Sequence, residues 1–312
     1  MSARRGASGL AGVLLVDKPE GPTSHDVVAA VRRASGEGRV GHAGTLDPMA
    51  TGLLVVLVGP ATRLERYLSG HDKTYEARIV FGTATDTLDA TGVVTATQAV
   101  PDAVRSETAA REVLAGFVGP AAQLPPAFSA IKRDGVTAHR LARAGGTPDL
   151  EARPIVVREA LLVSVDAEAG AWDVRFTVSK GTYVRALARD IGEAAGTVAH
   201  LAALRRTRAG EADIADACAL ANLVDVAGRG ELSGLFVDPV RMLGMPVATV
   251  DPALATDGRP LSIALAADAH AAPEIADGDL VAVTDGRALI GIYRREGDRF
   301  VPETVLAGGV PL

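Results

Sequence analysis

Cysteine is almost missing from this chain of 312 residues, with Cys218 the only one. A lone thiol excludes an intramolecular disulfide and leaves no thiolate cluster for zinc, which fits a reduced, cytoplasmic setting. Aromatic side chains make up 4% of the sequence, against 48% for all hydrophobic residues. A core of ample size must therefore be built from Leu, Val and Ala. No apolar run approaches the ~20 residues a membrane span needs, so a soluble protein with no membrane partner is expected. The segment from Met1 to Gly12 carries Arg4 and Arg5 without an apolar stretch behind them. It reads as a disordered tail, not as a signal peptide. Lysine is scarce too. Of 32 basic residues only Lys18, Lys73, Lys132 and Lys180 are lysines, which marks them as places where a compact, flexible ammonium is wanted.

What is present is unevenly distributed. The net charge is -6, and residues 236–312 carry 11 acids and 6 bases, whereas residues 1–235 carry 27 acids and 26 bases. A near-neutral body can still hold a basic groove, because phosphate binding depends on local charge. The length suits one large domain and one small one. A strand is expected from Leu10 to Lys18, then a helix opening at Thr23-Ser24-His25-Asp26 with Val27, Val28 and Val31 on its apolar face. Thr74 to Gly82 alternates as a half-buried strand does. Helices are expected at 62–68, 106–117, 137–143, 183–196 and 219–226, with strands at 155–166, 172–179 and 204–210. The end reads as a small β unit, with strands at 279–283, 288–293 and 300–306 separated by glycine or Asp-Gly turns.

Four stretches could carry chemistry. Gly41-His42-Ala43-Gly44-Thr45-Leu46-Asp47-Pro48-Met49-Ala50-Thr51-Gly52 sets one carboxylate in a glycine-punctuated loop ahead of an apolar strand. Pro48 biases Asp47 toward extended backbone, and a glycine-rich loop lets a ligand come close. Asp72-Lys73-Thr74-Tyr75 starts a strand with a tyrosine. Ser179-Lys180-Gly181-Thr182-Tyr183-Val184-Arg185 leads an arginine into the first turn of a helix, against the helix dipole, so Arg185 invites an acidic partner. Thr85-Asp86-Thr87-Leu88-Asp89 places two acids three apart. They could act as a glycosidase pair or a hard-metal site, although turn capping accounts for at least one of them.

Taken in order, these motifs together with Val13-Leu14-Leu15-Val16-Asp17-Lys18-Pro19-Glu20-Gly21-Pro22-Thr23-Ser24 and the later His200 and Leu204-Arg205-Arg206 resemble the bacterial TruB family of tRNA pseudouridine synthases. The resemblance covers roughly residues 10–210. It implies an α+β fold: a mixed, largely antiparallel catalytic sheet of pseudouridine-synthase type over 10–235, with an RNA-gripping insertion at about 124–150. A PUA-like β-rich domain would follow at 236–312, where -5 of charge weighs against strong phosphate binding.

The implied reaction converts one T-arm uridine of tRNA (uridine-55) to pseudouridine, by a cytoplasmic monomer without cofactor or metal. Asp47 would be the nucleophile, attacking C6 of the uracil or C1′ of the ribose. Tyr75 would stack on the flipped base and take the late proton, and Arg185 would pair with Asp47. All three should meet in one cleft. His42 would lie near the RNA and Leu204 would line the uracil pocket. Lys18, Lys73, Lys180 and Tyr183 would contact RNA, and Asp89 would support those contacts. Arg32, Arg33, Lys132, Arg133, Arg140 and Arg143 are candidate phosphate contacts, and His139 stands where the family commonly has tyrosine. Two other readings remain: an RNA-binding protein without activity, and a hydrolase using Asp86 and Asp89.

Overall fold

The computed structural model describes residues 8–129, 131–133, 136–146, 148–252, 258–265 and 275–312. They form two compact units, one from the chain up to His71 together with Arg208 onward, the other from Asp72 to Thr207. Both mix helices with mainly antiparallel strands, as expected.

In the first unit the strand Gly12–Lys18 lies antiparallel to Thr51–Val58, with Val16 opposite Leu54. Its other edge takes Cys218–Ala219 in parallel and Phe236–Val237 antiparallel. Val40–His42 pairs with the far edge of Thr51–Val58, His42 opposite Val56. Val13 to Val16 and Leu53 to Val58 are almost wholly buried. Such continuous apolar runs mean a sheet covered on both faces.

A second sheet in this unit runs Val247–Thr249, Leu280–Thr284, Ala288–Glu296, Arg299–Pro311, Leu261–Ser262. The three C-terminal strands thus fall close to where they were expected, the first shifted by one residue and the other two longer. Ala282, Leu289, Ile292, Leu306 and Val310 from this sheet belong to the same core cluster as Val13, Leu15, Leu53, Val55 and Leu57. The C-terminal strands therefore share a core with the strands that frame the Asp47 loop.

The helix Ser24–Ser35 opens on a capping box. Thr23 Oγ1 accepts from the Asp26 N–H at 3.1 Å, and Asp26 Oδ2 accepts from the Thr23 N–H at 2.8 Å. This satisfies donors that have no partner inside the helix. Gly36, with φ 62°, ends it in the left-handed conformation that glycine adopts without a steric cost.

The second unit is built on Ala171–Val178, flanked by Lys73–Phe81 and Arg153–Asp166, all antiparallel. Gly119–Gln123 extends the sheet beyond Arg153–Asp166, and Ala199–Ala209 lies beside Lys73–Phe81. Lys73, Tyr75, Ala77, Ile79 and Phe81 are the buried face of their strand, in keeping with the period of two. Trp172 anchors this core: its ring centroid is 4.5 Å from that of Phe81, and its indole N–H donates to Val104 O at 2.7 Å. The helix Val184–Ala194 buries Val184, Arg185, Leu187, Ala188 and Ile191.

Two expectations need correction, and one strand lies where none was expected. The strand ending near Ala209 begins at Ala199, because alanines hide its first half from a propensity reading. Gly119–Gln123 is a strand although its sequence, Gly-Pro-Ala-Ala-Gln, lacks the β-branched residues that mark one. The segment expected as one short helix at 62–68 is a 3-10 turn over Gly59–Leu64 running into a single α-turn at Glu65–Leu68.

Candidate active site

The site residues fall in both units, Asp47 in the first, Tyr75, Asp89, Arg185 and Leu204 in the second.

Hydrogen bonds to other segments hold the residues that flank Asp47. Ser24, the first helical residue after the capping threonine, accepts from the Leu46 N–H at 2.8 Å and donates to Leu46 O at 3.1 Å. Pro48 O accepts from the Gly21 N–H at 2.9 Å and from Lys18 Nζ at 3.2 Å. The residues on either side of Asp47 are thus tied to two other segments, and Asp47 itself stays half-buried. Gly44, with φ 106°, supplies a backbone conformation that L side chains rarely adopt.

Lys18 was expected among the RNA contacts, but it is fully buried. Its ammonium also donates to Pro19 O at 2.9 Å and Pro22 O at 2.8 Å. Three donors meet three carbonyls, so its contacts are internal. Burial pushes the Lys18 pKa below the usual lysine value, and the carboxylates of Asp47 and Glu20 oppose that shift. Lys18 is therefore a positive neighbour of Asp47 as well as a tie for its loop. His42 ends its strand at the loop entrance, and its ring lies edge-to-face on that of His25, centroids 5.7 Å apart. Arg32 donates to Gly38 O and Val40 O, a bracing role for one candidate phosphate contact.

In the second unit Arg185 is buried and finds the acid that its position demands. Its Nη1 lies 3.6 Å from Asp89 Oδ2, and each side chain is 6% exposed. Nη1 also donates to Thr87 O at 2.8 Å and Nη2 to Phe128 O at 3.0 Å. The other carboxylate oxygen of Asp89 accepts from Thr87 Oγ1, the Thr91 N–H and Thr91 Oγ1 at 2.8, 3.0 and 2.6 Å. A buried ion pair survives only when its remaining polar valences are met, and here they are. Leu88, just before Asp89, is the one non-glycine residue with positive φ among the described residues. Its carbonyl accepts from Leu201 N–H, and Leu201 O accepts from Ala90 N–H, both at 3.0 Å. These bonds hold the turn in that strained shape.

Asp86 is exposed and accepts from the Val93 N–H at 2.8 Å. One acid of the pair caps a turn and the other is engaged by Arg185, an arrangement that suits neither a glycosidase pair nor a metal site.

Tyr75 is buried on the inner face of its strand, opposite Phe176. Lys73 and Leu204 are buried too. Lys180 is exposed and Tyr183 half-buried at the start of the helix that carries Arg185. Gln123 clamps that start: its amide oxygen accepts from the Tyr183 N–H at 2.9 Å and its amide nitrogen donates to Tyr183 O at 3.1 Å. The sequence reading missed Gln123 and Ser24, whose roles depend on partners 60 and 22 residues away. Arg140 is exposed on the helix Ala138–Arg143. The side chains of Lys132, Arg133, His139 and Arg143 lie outside the described residues.

Comparison with known proteins decides the family. Residues 32–184 match the TruB family pseudouridylate synthase N-terminal domain, and residues 185–239 the tRNA pseudouridylate synthase B C-terminal domain. A tRNA pseudouridine synthase B of Burkholderia mallei (strain NCTC 10247) is 41% identical over 307 residues, 96% of this chain and 98% of that one. The chain belongs to the TruB family.

The Opitutus terrae tRNA pseudouridine synthase B is 48% identical over 211 residues, 68% of this chain and 86% of the relative. Among solved structures, a Cbf5-Nop10-Gar1 complex aligns with TM-score 0.71 and 28% identity over 95% of this chain and 84% of the other. An H/ACA RNP bound to a substrate RNA containing 2'-deoxyuridine aligns with TM-score 0.70 and 26% identity, over the same shares of the two chains. As a TruB family member the chain is an isomerase that forms pseudouridine from uridine in tRNA. Among the described residues no helix is long and apolar enough to cross a membrane.

Proposed function

We propose that the substrate is the T-arm uridine of tRNA and that Asp47 is the covalent nucleophile. The observation that carries this is the fixed, half-buried carboxylate of the Gly41–Gly52 motif, tied through Leu46 and Pro48 and standing beside the Lys18 ammonium. A positive neighbour favours the ionised carboxylate, the form able to attack.

The reaction breaks the N1–C1′ bond, turns the uracil and joins C5 to C1′; the C5 proton leaves and N1 takes one up. No electrons are gained or lost. Asp47 attacks C6 or C1′, and either adduct collapses to release the carboxylate. A base inside a folded loop must leave its stack before a side chain can reach it, and an aromatic surface compensates for the lost stacking. Tyr75 is that surface and the acceptor of the late C5 proton, while Arg185, held by Asp89, is the cation of the reaction. Leu204 lines the uracil pocket. Lys180, Tyr183 and Arg140 contact RNA, as do Lys132 and Arg143. Residues 10–235 act as the catalytic domain in a cytoplasmic monomer, with 236–312 as its PUA-like companion.

Tritium release from a T-arm stem-loop carrying C5-labelled uridine tests the reading. The native chain should turn over, while Asp47→Asn should release no tritium and still bind the stem-loop. Turnover by Asp47→Asn removes the nucleophile assignment, and an inactive native chain removes the substrate assignment.

A further inference from the structure

His25 has no part in the reaction so far, yet its placement is as fixed as that of Asp47. It sits on the first turn of the helix Ser24–Ser35, between Ser24, which grips Leu46 from both sides, and Asp26, which closes the capping box. The helix start is thus bolted to the residue before the nucleophile. From there the exposed His25 imidazole meets the half-buried ring of His42 edge-to-face, at 5.7 Å and 84°. His42 begins the loop that carries Asp47, so both ends of this ring pair are anchored to the same short segment.

A lone exposed histidine at a helix start is ordinary, but this contact has a consequence. An imidazole at the end of a strand can swing about its two side-chain torsions, and a perpendicular ring packed on it removes most of that freedom. Phosphate capture by the helix end is not what the geometry offers. The capping box already engages the Thr23 and Asp26 amides, and the Asp26 carboxylate opposes an anion there. What the pair offers is the face of the braced His42 imidazole, a flat, weakly polar surface of the kind on which unstacked bases of single-stranded RNA rest.

We propose that His25 is a positioning residue for the RNA substrate: it buttresses the His42 ring, so that a nucleobase next to the reacting uridine stacks on an imidazole held in one orientation. This rests on the T-arm reading above. The ligand class is an unpaired base of a structured RNA loop, and the contribution is to binding and to base extrusion, not to the bond-making steps.

The test uses the full chain, a T-arm stem-loop with 2-aminopurine beside the target uridine, and the tritium-release assay. His25→Ala should raise Kd and KM roughly 3- to 10-fold, the range expected for one lost aromatic contact. It should leave kcat within about twofold on the same grounds and reduce quenching of the 2-aminopurine. His25→Phe keeps a ring but no N–H, and should restore both affinity and quenching. The inference is overturned if His25→Ala matches the native chain in affinity and quenching. It is equally overturned if only kcat falls, or if His25→Asn rescues where His25→Phe does not, which would make the contact a hydrogen bond. A native chain that releases no tritium overturns the underlying substrate reading, and is told apart by that control.

Discussion

Asp89 Oδ2 stands 3.6 Å from Arg185 Nη1, and neither side chain is more than 6% exposed. Removing one member of such a pair leaves an uncompensated charge, at a cost of roughly 3–5 kcal/mol. Asp89→Leu and Arg185→Met should each lower unfolding stability on that scale, and the double variant by clearly less than the sum. Urea unfolding of the four proteins measures the coupling; additive effects would mean that the two side chains act independently. Asp89→Asn keeps the shape and the threonine contacts but loses the charge. It should fold and bind RNA, with turnover at least about tenfold slower, the loss expected when a positioning contact is removed.

Ser24 links a helix to Leu46, the residue before Asp47, through two hydrogen bonds. Ser24→Ala leaves the buried Leu46 amide without its acceptor, a penalty of about 1–3 kcal/mol. The expected result is a lower Tm together with a fall in kcat larger than any change in KM. Thermal melts and initial rates measure the two effects. Unchanged kcat would show that the loop holds its shape without this tie.

Lys18→Met removes three donors at once and leaves the carbonyls of Pro19, Pro22 and Pro48 without them. It should destabilise by at least about 2 kcal/mol and depress turnover. Lys18→Arg should not rescue, because a planar guanidinium cannot direct its donors at three carbonyls grouped around one ammonium. Full activity in Lys18→Arg would mean that only the positive charge near Asp47 matters.

The capping box gives a pH signature. Hydrogen bonds from Thr23 hold the Asp26 carboxyl below its usual value of 3.8, helped by the charges of His25 and Arg33. A carboxyl with a depressed folded-state pKa stabilises above the unfolded value, and this contribution disappears as pH falls through the folded one. The native chain should therefore exceed Asp26→Asn in stability at pH 5 to 7. The gap should close as the pH drops below the ordinary carboxylate range. Denaturant midpoints of both proteins at several pH values check this; a gap that widens on acidification would contradict it.

Much of this was legible in the sequence, for identifiable reasons. Strand alternation at Thr74–Gly82 and the capping pattern at Thr23–Asp26 are local, and both elements formed nearly where they were read. The misfit of Arg185 with its helix dipole called for an acid, and the resemblance named Asp47; the ion pair with Asp89 was not foreseen. Asp89 is 96 positions earlier, and only the folded turn at Leu88, tethered to Leu201, brings it there. Lys18 was recognised as special, though an ammonium that grips carbonyls and one that grips phosphate look alike in a sequence. Burial separates them. Ser24 and Gln123 carried no local signal, since a serine after a capping threonine and a glutamine in an alanine-rich strand are unremarkable until their distant partners arrive.

The core shared by Leu289, Ile292, Leu306 and Val310 with Val13, Leu15 and Leu53 bears on how this protein can fail. A stop codon ahead of Leu289 should not yield a shortened but working enzyme, because it removes all four of these C-terminal side chains. It would strip the cover from the strands that frame the Asp47 loop, and the product should be cleared as misfolded chain. A genetic screen should score such late lesions as losses of function, alongside substitutions of Asp47. The same logic limits engineering: an exchanged C-terminal module must bring a matching apolar face before any question of RNA contact arises.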